Sequence, residues 1–245
     1  IVVNTGGDFQ LLALADAIDR LNRCGWTSRL TIHVVFHFAV FDRVVTARAR
    51  AFGRQINAAI RSISPHQITL HATTDSLRQQ LAAVGVAATT IPYPTRPRGP
   101  SAPPMGAKRP IKLLLAGMPR AEKGRDQIRA LLENIERPHL RNGAFCWSMQ
   151  LPRKRWRRMI PTAMQDLCDR KTGATRPSPL EILRGNLTSE AYHNWLDTAG
   201  VGMLVYEPDR YVARCSGVLL EMMIRGVPDI VPDRCWLADQ VRDAG

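Results

Sequence analysis

Residues 201–237 limit the folds open to this chain more than any other stretch, because strand-like and helix-like patterns alternate there. The apolar run Val201–Val205 ends in a polar loop, and Ser216-Gly217 then precedes a helix predicted over Val218–Ile224. A glycine ends that helix, and a second apolar run follows it. The pattern predicts a βαβ unit of a parallel α/β domain.

The start of this helix offers a specific chemistry. Unpaired backbone N–H groups at a helix N-terminus, approached past Ser216 and Gly217, can bind a phosphate. The carboxylate of Glu221, one turn further along, can accept two hydrogen bonds from a vicinal diol such as ribose. The same residues also fit an ordinary helix start, with Ser216 as the N-cap and Glu221 as a solvated acid of the early helix. The stretch alone leaves both interpretations open.

Length and composition restrict the class of protein. A chain of 245 residues predicts one large or two modest domains. It contains no apolar run of membrane-spanning length and no signal peptide, and its five scattered cysteines are typical of reduced thiols. We therefore expect a cytoplasmic protein. The apolar start at Ile1 and the end soon after a helix begins predict a piece of a longer protein.

The net charge of +13 raises the question of a nucleic-acid partner. Residues 1–105 carry +6 and the remainder carries +7, so the excess is spread along the chain. Nucleic-acid modules usually concentrate charge on one face beside stacking aromatics, and aromatic residues make up only 6% of this chain. We expect no nucleic-acid partner. An anionic ligand or an anionic membrane surface fits the charge as well.

A proline-rich segment divides the chain. Residues 92–109 cannot form a packed element and predict an interdomain linker, with domains over 1–91 and 110–245. In the first domain, the strand predicted over Leu30–Phe38 carries His33 and His37. His37 lies at the carboxyl end, where ligands collect in parallel sheets, although a structural histidine is the common alternative for both. A long basic amphipathic helix is predicted from Asp42 to Ile63.

The second domain offers a further anion site. After the strand Ile111–Ala116, the glycine-bounded loop 117–124 carries Arg120 and Lys123, whose charges suit a diphosphate. A strongly basic helix is predicted over Arg153–Cys168. We interpret that helix first as a solvated face and second as a contact with an anionic surface.

Taken together, the motifs of residues 111–240 resemble the nucleotide-sugar-binding domain of a bacterial family-4-type glycosyltransferase of GT-B architecture. The matching pieces, in order, are Gly117…Arg120-x-Glu122-Lys123-Gly124, Gly185-Asn186-Leu187-Thr188-Ser189-Glu190-x-Tyr192, Tyr206…Tyr211-x-x-Arg214-x-Ser216-Gly217-x-x-x-Glu221, Gly226-Val227-Pro228 and Trp236-Leu237. The first 105 residues resemble the acceptor domain more weakly, through Val35-Phe36-His37. The resemblance implies two Rossmann-like parallel-sheet domains facing a cleft, both incomplete here.

The resemblance also implies an activity, which is retaining transfer of a sugar from a nucleoside diphosphate sugar to an acceptor hydroxyl, usually without a metal or other cofactor. Arg120 and Lys123 would neutralise the departing diphosphate, and His37 would contact the donor sugar near the reacting carbon. The other donor-binding positions would be Gly117, Arg214, Ser216, Gly217 and Glu221, with the backbone of Ser216-Gly217 on phosphate and Glu221 on ribose. Expected partners are the donor and a saccharide or lipid-linked acceptor. The protein would then serve surface polysaccharide or glycolipid synthesis at the inner face of the membrane.

Two departures from the family pattern keep alternatives open. The family has a pair of glutamates eight residues apart; Glu221 matches the second, and Ala213 occupies the place of the first. Met118 occupies the usual position of the loop arginine. One alternative is therefore a degenerate homologue that binds a nucleotide sugar without transferring it. A second alternative is a polyanion-binding protein that uses the basic residues 153–158.

Overall fold

The computed structural model describes residues 1–95, 110–134, 140, 143–154, 156–168 and 178–244, and its chain divides into two compact units. The first comprises Ile1–Pro94, Pro208–Cys215 and Arg234–Asp243. The second comprises Thr95–Glu207, Ser216–Asp233 and Ala244–Gly245. Most of the linker predicted over 92–109 lies outside the described residues.

Two segments from the C-terminal part of the chain, Pro208–Cys215 and Arg234–Asp243, pack with the first unit, although the sequence predicted them in the second domain. Ala213 belongs to the apolar core of the first unit, and its carbonyl accepts a hydrogen bond from Thr74 Oγ1 at 2.7 Å. Arg43 forms an ion pair with Asp209 and donates to the carbonyl of Arg234. These contacts join residues far apart in sequence, so local patterns gave no sign of them.

The first unit is a parallel sheet of four strands in the order β1-β2-β3-β4. The strands are β1 Val2–Val3, β2 Thr31–Phe36, β3 Gln67–Ala72 and β4 Thr89–Thr90. The helices α1 Asp8–Arg23, α2 Ala47–Ser62 and α3 Asp75–Ala83 connect them. Because each crossover advances the chain in the same direction, right-handed connections put the three helices on one face of the sheet.

The core of the first unit lies between this face and the helices. Alternate residues of β2 (Ile32, Val34 and Phe36) are almost completely buried and belong to the same apolar cluster as Leu11 of α1 and Ile56 of α2. Helix α2 begins at Ala47 and not at residue 42 as predicted. The reason is a local cap, since Thr46 Oγ1 accepts a hydrogen bond from the backbone N–H of Ala49.

The second unit is a parallel sheet of five strands in the order β7-β6-β5-β8-β9. The strands are β5 Ile111–Leu115, β6 Phe145–Leu151, β7 Leu180–Arg184, β8 Val201–Met203 and β9 Asp229–Ile230. The helices, in chain order, are α4 Ile128–Asn134, α5 Ser189–Leu196 and α6 Gly217–Met223, while α7 Trp236–Asp243 packs mainly with the first unit. The prediction of an α/β protein with two Rossmann-like parallel sheets is confirmed.

The strand order of this second sheet reverses beside its central strand. The chain runs outward from β5 to β7 and then returns to place β8 on the other side of β5. In open parallel sheets, ligands bind beyond the carboxyl ends of the strands at such a reversal. The loops that follow β5 and β8 therefore define where a ligand site is to be sought.

The basic segment 153–168 is not the helix that its composition predicted. Two short 3-10 helices, Trp156–Met159 and Thr162–Leu167, occupy it. Pro161 separates them, and a proline interrupts a regular helix because it has no backbone N–H to donate. Trp156, Met164 and Leu167 are buried in the core of the second unit.

No helix among the described residues is both long enough and apolar enough to cross a membrane.

One carboxyl group of the second unit is buried without compensation. Both side-chain oxygens of Asp229 on β9 are shielded from solvent, and no described residue donates a hydrogen bond to them. The side chain lies against Gly202 of the neighbouring strand, where a β-carbon would collide with it and with Met222. Burial raises the pKa of Asp229 from 3.8 to about 7.

Stability should therefore fall as the pH rises through the range in which Asp229 loses its proton. A folded-state pKa of about 7, above the ordinary 3.8, means that the folded protein holds this proton more tightly than the unfolded chain. The destabilisation caused by ionising this buried carboxyl is absent below pH 3.8. It grows between pH 3.8 and about 7, and it is complete above about pH 7. We expect Asp229→Asn to flatten this dependence and to raise the free energy of unfolding at pH 8 by up to about 4 kcal/mol.

Urea unfolding at pH 5 and pH 8 measures this effect, with Asp243→Asn at the exposed end of α7 as the control. An equal pH dependence in the native protein and in Asp229→Asn would contradict the prediction.

Candidate functional site

The loop after β5 makes a close turn against the loop after β8. Gly124 has a φ of +72°, and a β-carbon there would lie 2.0 Å from the carbonyl oxygen of Val205. Glycine is required at this position both by the left-handed backbone and by the contact. Next to it, the N–H of Glu207 donates to the carbonyl of Glu122 at 3.0 Å. The two loops that flank the strand reversal are thus joined through their backbones.

Lys123 lies where this loop meets the start of α6. A β-carbon at Gly117 would lie 3.5 Å from Nζ of Lys123 and 3.7 Å from Cγ2 of Val218 in the first turn of the helix. The Nζ atom also lies 5.3 Å from the ring centroid of Tyr206. The ammonium group therefore lies over an aromatic face, beside a helix start and close to Gly117. This arrangement can receive an anion.

Arg120 occupies the same loop at its exposed side. Its backbone carbonyl accepts hydrogen bonds from the N–H groups of Lys123 and Arg125, which builds the short 3-10 turn Ala121–Lys123. Within the part of the chain that the structure describes, nothing pairs with its guanidinium group. The two predicted diphosphate residues therefore belong to one turn, with Lys123 partly covered and Arg120 open to solvent.

The start of α6 shows which groups of Ser216 and Gly217 remain for a ligand. Ser216 Oγ accepts a hydrogen bond from the N–H of Leu219 at 3.3 Å, so the hydroxyl serves as the N-cap. The helix has seven residues, Gly217–Met223. The hydroxyl of Ser216 can still donate its own proton, so a ligand at this helix start has that O–H and the backbone N–H groups as donors.

A tyrosine fixes the carboxylate of Glu221. Tyr192 donates its hydroxyl to Glu221 Oε2 at 2.8 Å, which joins the first turn of α5 to α6. Burial, together with the neighbouring Glu221 carboxylate, raises the pKa of Tyr192, so the phenol keeps its proton. A carboxylate has more acceptor sites than this one hydrogen bond uses, so Glu221 can accept further hydrogen bonds.

A buried arginine supports the other end of α6. Arg225 is 1% exposed and donates to Asp197 Oδ1 at 2.7 Å, to the carbonyl of Glu221 at 2.6 Å and to His193 Nδ1 at 3.0 Å. Because Nδ1 of His193 must accept, the proton of a neutral His193 lies on Nε2. The arginine thus ties the end of α6 to α5 and holds the backbone of Glu221.

In the first unit, His37 and Arg214 line one cavity of about 290 Å³. His37 Nε2 lies 2.5 Å from the carbonyl of Asn4, which can only accept, so Nε2 carries a proton. The guanidinium carbon of Arg214 lies 4.8 Å from the ring centroid of Phe38 and 5.1 Å from that of Tyr211. Cys215 also lines the cavity, and burial raises its pKa to about 12, so the thiol stays protonated.

His33 makes a different interaction from His37. Its Nδ1 lies 3.0 Å from Nε2 of His71, whose other nitrogen lies 2.9 Å from Thr89 Oγ1. Burial and the neighbouring His33 lower the pKa of His71. This hydrogen-bonded row links β2, β3 and β4, which agrees with a structural role for His33.

Sequence reasoning located the main elements of the site and missed several of their supports. In the second unit, the structure brings Gly117, Lys123 and the start of α6 together and links Glu221 to α5. Arg214 was predicted among the donor-binding residues, and the structure places it beside His37 in the first unit. Tyr192 stood in the family pattern without a role. Arg225 gave no signal, because an arginine at the end of a short helix looks solvated.

No protein-family model matches the sequence, and no curated protein is detectably similar to it.

Solved structures, by contrast, superpose on nearly all or all of the chain. A UDP-forming α,α-trehalose-phosphate synthase from Burkholderia xenovorans covers 100% of it with a TM-score of 0.55 and 12% identity. The chain has the GT-B fold. The N-terminal domain of trehalose-6-phosphate phosphatase from Candida albicans covers 100% of the chain with a TM-score of 0.54 and 11% identity. A trehalose-6-phosphate protein of E. coli bound with UDP-2-fluoro glucose covers 94% with a TM-score of 0.52 and 17% identity.

The likeness at 11–17% identity shows a GT-B glycosyltransferase fold and nothing finer. The chain spans 65%, 63% and 63% of the length of these three structures, which is less than two thirds of each. Membership of family 4 within the GT-B glycosyltransferases, and the expectation of a longer parent protein, stay predictions.

The buried Arg225 should contribute strongly to stability. Arg225→Met removes the donor for Asp197 and for the Glu221 carbonyl, and unpaired buried partners are costly. We expect the free energy of unfolding to fall by about 3 kcal/mol.

The control is Arg242→Met, which breaks an ion pair with Asp239 in which both side chains are more than half exposed. That variant should lose less than about 1 kcal/mol in the same urea titration. Equal losses for the two variants would mean that the Arg225 network adds no stability.

Proposed function

We propose that this protein is a retaining glycosyltransferase that moves a sugar from a nucleoside diphosphate sugar to an acceptor hydroxyl. The observation that carries the proposal is the meeting of Lys123 Nζ, Gly117 and the first turn of α6 at the strand reversal of a GT-B sheet. Ligands of open α/β sheets bind at that edge, and a diphosphate needs the positive charge found there. The proposal includes no metal and no other cofactor.

The chemistry assigned to these residues follows from charge. As the bond to the sugar breaks, negative charge grows on the diphosphate, and Lys123 and Arg120 offset it where it develops. Backbone N–H groups at Ser216-Gly217 hold a phosphate, and Gly117 lets it approach the backbone. Glu221, oriented by Tyr192, accepts hydrogen bonds from the ribose hydroxyls.

We assign His37 and Arg214 to the sugar side of the reaction. His37 carries its proton on Nε2, and its ring meets the edge of Tyr93 at a centroid distance of 6.1 Å. Together with Arg214 they form a polar and aromatic cavity wall that suits a sugar. The acceptor is a saccharide or a lipid-linked saccharide. The proposed setting is surface polysaccharide or glycolipid synthesis in the cytoplasm, at the anionic inner face of the membrane.

A second candidate function is nucleotide-sugar binding without transfer. Ala213 stands where the related family has its first glutamate and is 1% exposed in the core of the first unit. A glutamate in place of this buried alanine would bring a carboxylate into an apolar core, which is costly without a partner. Turnover of a nucleotide sugar in the presence of saccharide and lipid-linked acceptors separates the two candidates.

Neutralising Lys123 should weaken binding of the diphosphate itself. We expect Lys123→Ala to raise the dissociation constants of UDP, GDP and inorganic pyrophosphate by roughly 10- to 100-fold, because hydrogen bonds to charged groups contribute that much. Isothermal calorimetry measures this, with the exposed Lys154→Ala as a control for net charge. Equal affinities for Lys123→Ala and the native protein would sink the diphosphate assignment.

Removing the Glu221 carboxylate should affect the nucleoside part alone. We expect Glu221→Ala to weaken UDP and GDP by about tenfold while leaving pyrophosphate unchanged, since the lost hydrogen bonds go to ribose. Tyr192→Phe should give a smaller loss in the same direction, because the carboxylate remains but is no longer oriented. A loss of pyrophosphate affinity in Glu221→Ala would instead indicate a disturbed helix start.

A further inference from the structure

Two arginines of the second unit lie over one indole, and a third, three residues before that tryptophan, lies beside Gly185. The function proposed above leaves all three without a role. We call Arg153, Arg157, Arg184 and Trp156 the arginine cluster. Trp156 is buried, with the guanidinium carbons of Arg157 and Arg184 at 5.4 and 5.6 Å from its ring centroid. All three arginines are themselves exposed. The face of the indole attracts the guanidinium groups of Arg157 and Arg184 at the surface.

The arginine cluster lies at the ligand-binding edge of the sheet. Arg184 is the last residue of β7, and Arg153 follows the end of β6. Nε of Arg153 lies 3.3 Å from the position that a β-carbon of Gly185 would occupy. Gly185 is fixed to β6, since its N–H donates to Leu151 and its carbonyl accepts from Gln150 Nε2. Two arginines therefore flank the first residue of the loop 185–188.

The proposed ribose site leads to this loop. Glu221 is held by Tyr192, which lies in α5 directly after the loop 185–188. With the diphosphate beside Lys123 and the ribose on Glu221, the base attached to the far side of the ribose points away from Lys123. Because Tyr192 follows the loop 185–188 by four residues and holds Glu221, we place the base beside that loop, at the carboxyl ends of β6 and β7.

Guanidinium groups discriminate between bases because they only donate hydrogen bonds. Guanine presents two adjacent acceptors, N7 and O6, which match the arginine fork in a bidentate contact. Adenine pairs its N7 acceptor with an amino donor, and uracil places an N–H donor between its two carbonyl oxygens. Neither base gives one fork two adjacent acceptors.

We infer that the arginine cluster reads the base of the donor and selects guanine, with Arg153 and Arg184 as the specificity-determining residues. The inference rests on the proposed function, since it places the base from the diphosphate and ribose sites. It names a guanosine diphosphate sugar as the donor. The solved E. coli structure with the same fold holds a uridine donor analogue, so the base would differ between the two proteins.

The test compares bases and separates base recognition from phosphate charge. Calorimetry on the protein with GDP, UDP, ADP and pyrophosphate should give GDP the tightest binding of the nucleotides, by roughly 5-fold or more. Arg153→Lys and Arg184→Lys keep the charge but lose the planar fork, so each should reduce the preference for GDP over UDP without weakening pyrophosphate. Arg158→Lys, in the same 3-10 turn as Arg157, is the control and should keep the preference.

The outcomes separate this inference from the function on which it rests. UDP binding as tightly as GDP, or a GDP preference that survives both lysine variants, overturns the base assignment and leaves the proposed function standing. Equal weakening of GDP, UDP and pyrophosphate by the lysine variants assigns the arginines to phosphate and also overturns it. If neither the nucleotides nor pyrophosphate bind, the result contradicts the proposed function itself.

Discussion

The reversal of strand order between β5 and β8 is the constraint on which the candidate site depends. Two loops leave neighbouring strands in opposite directions there, so no crossover covers the space between them. In this protein the two loops remain joined, through the contact of Gly124 with Val205 and the hydrogen bond from Glu207 to Glu122. The opening is therefore bounded by fixed backbone, and Lys123 is carried on its rim.

In the same unit, buried polar side chains fix the position of helix α6. Helix α6 has seven residues, too few for a helix to be stable on its own. Arg225 and Tyr192 attach it to α5 at two points, one on the backbone and one on the carboxylate of Glu221. The position of the proposed ribose acceptor is thus set by tertiary hydrogen bonds and not by helix propensity.

The sequence predicted the elements of this fold well because both sheets are parallel and buried. Apolar runs such as 111–116 and glycine or proline stops marked the strands and helices to within a few residues in most cases. The prediction was wrong for 153–168, where charge density looked like a helix face, while Pro161 and the buried Trp156 belong to two short turns. The spacing of apolar and charged residues does not show that one aromatic residue, here Trp156, is buried.

The parts of the candidate site that follow from the order of strands and helices could be predicted from the sequence. The parts that depend on side-chain contacts between residues distant in sequence could not. Gly117 and Lys123 lie on one βα loop and Val218 lies in the first turn of α6, so their meeting follows from the order of elements. Arg214 is two residues from Ser216 in sequence, yet its guanidinium packs on Phe38 in the first unit. Such a contact depends on which unit a short segment joins, and no local pattern encodes that choice.

Two kinds of positive charge at one edge of the second sheet serve different physical purposes. Lys123 is a compact charge over the Tyr206 ring, suited to an oxygen whose charge increases during the reaction. Arg184 is a planar fork set by the Trp156 indole, suited to a base whose acceptors stay the same in the ground state and the transition state. Interactions made equally in both states affect KM, whereas those that strengthen in the transition state affect kcat. Under the function and the base recognition proposed above, the lysine loop would set the rate of transfer and the arginine cluster would set which donor is bound.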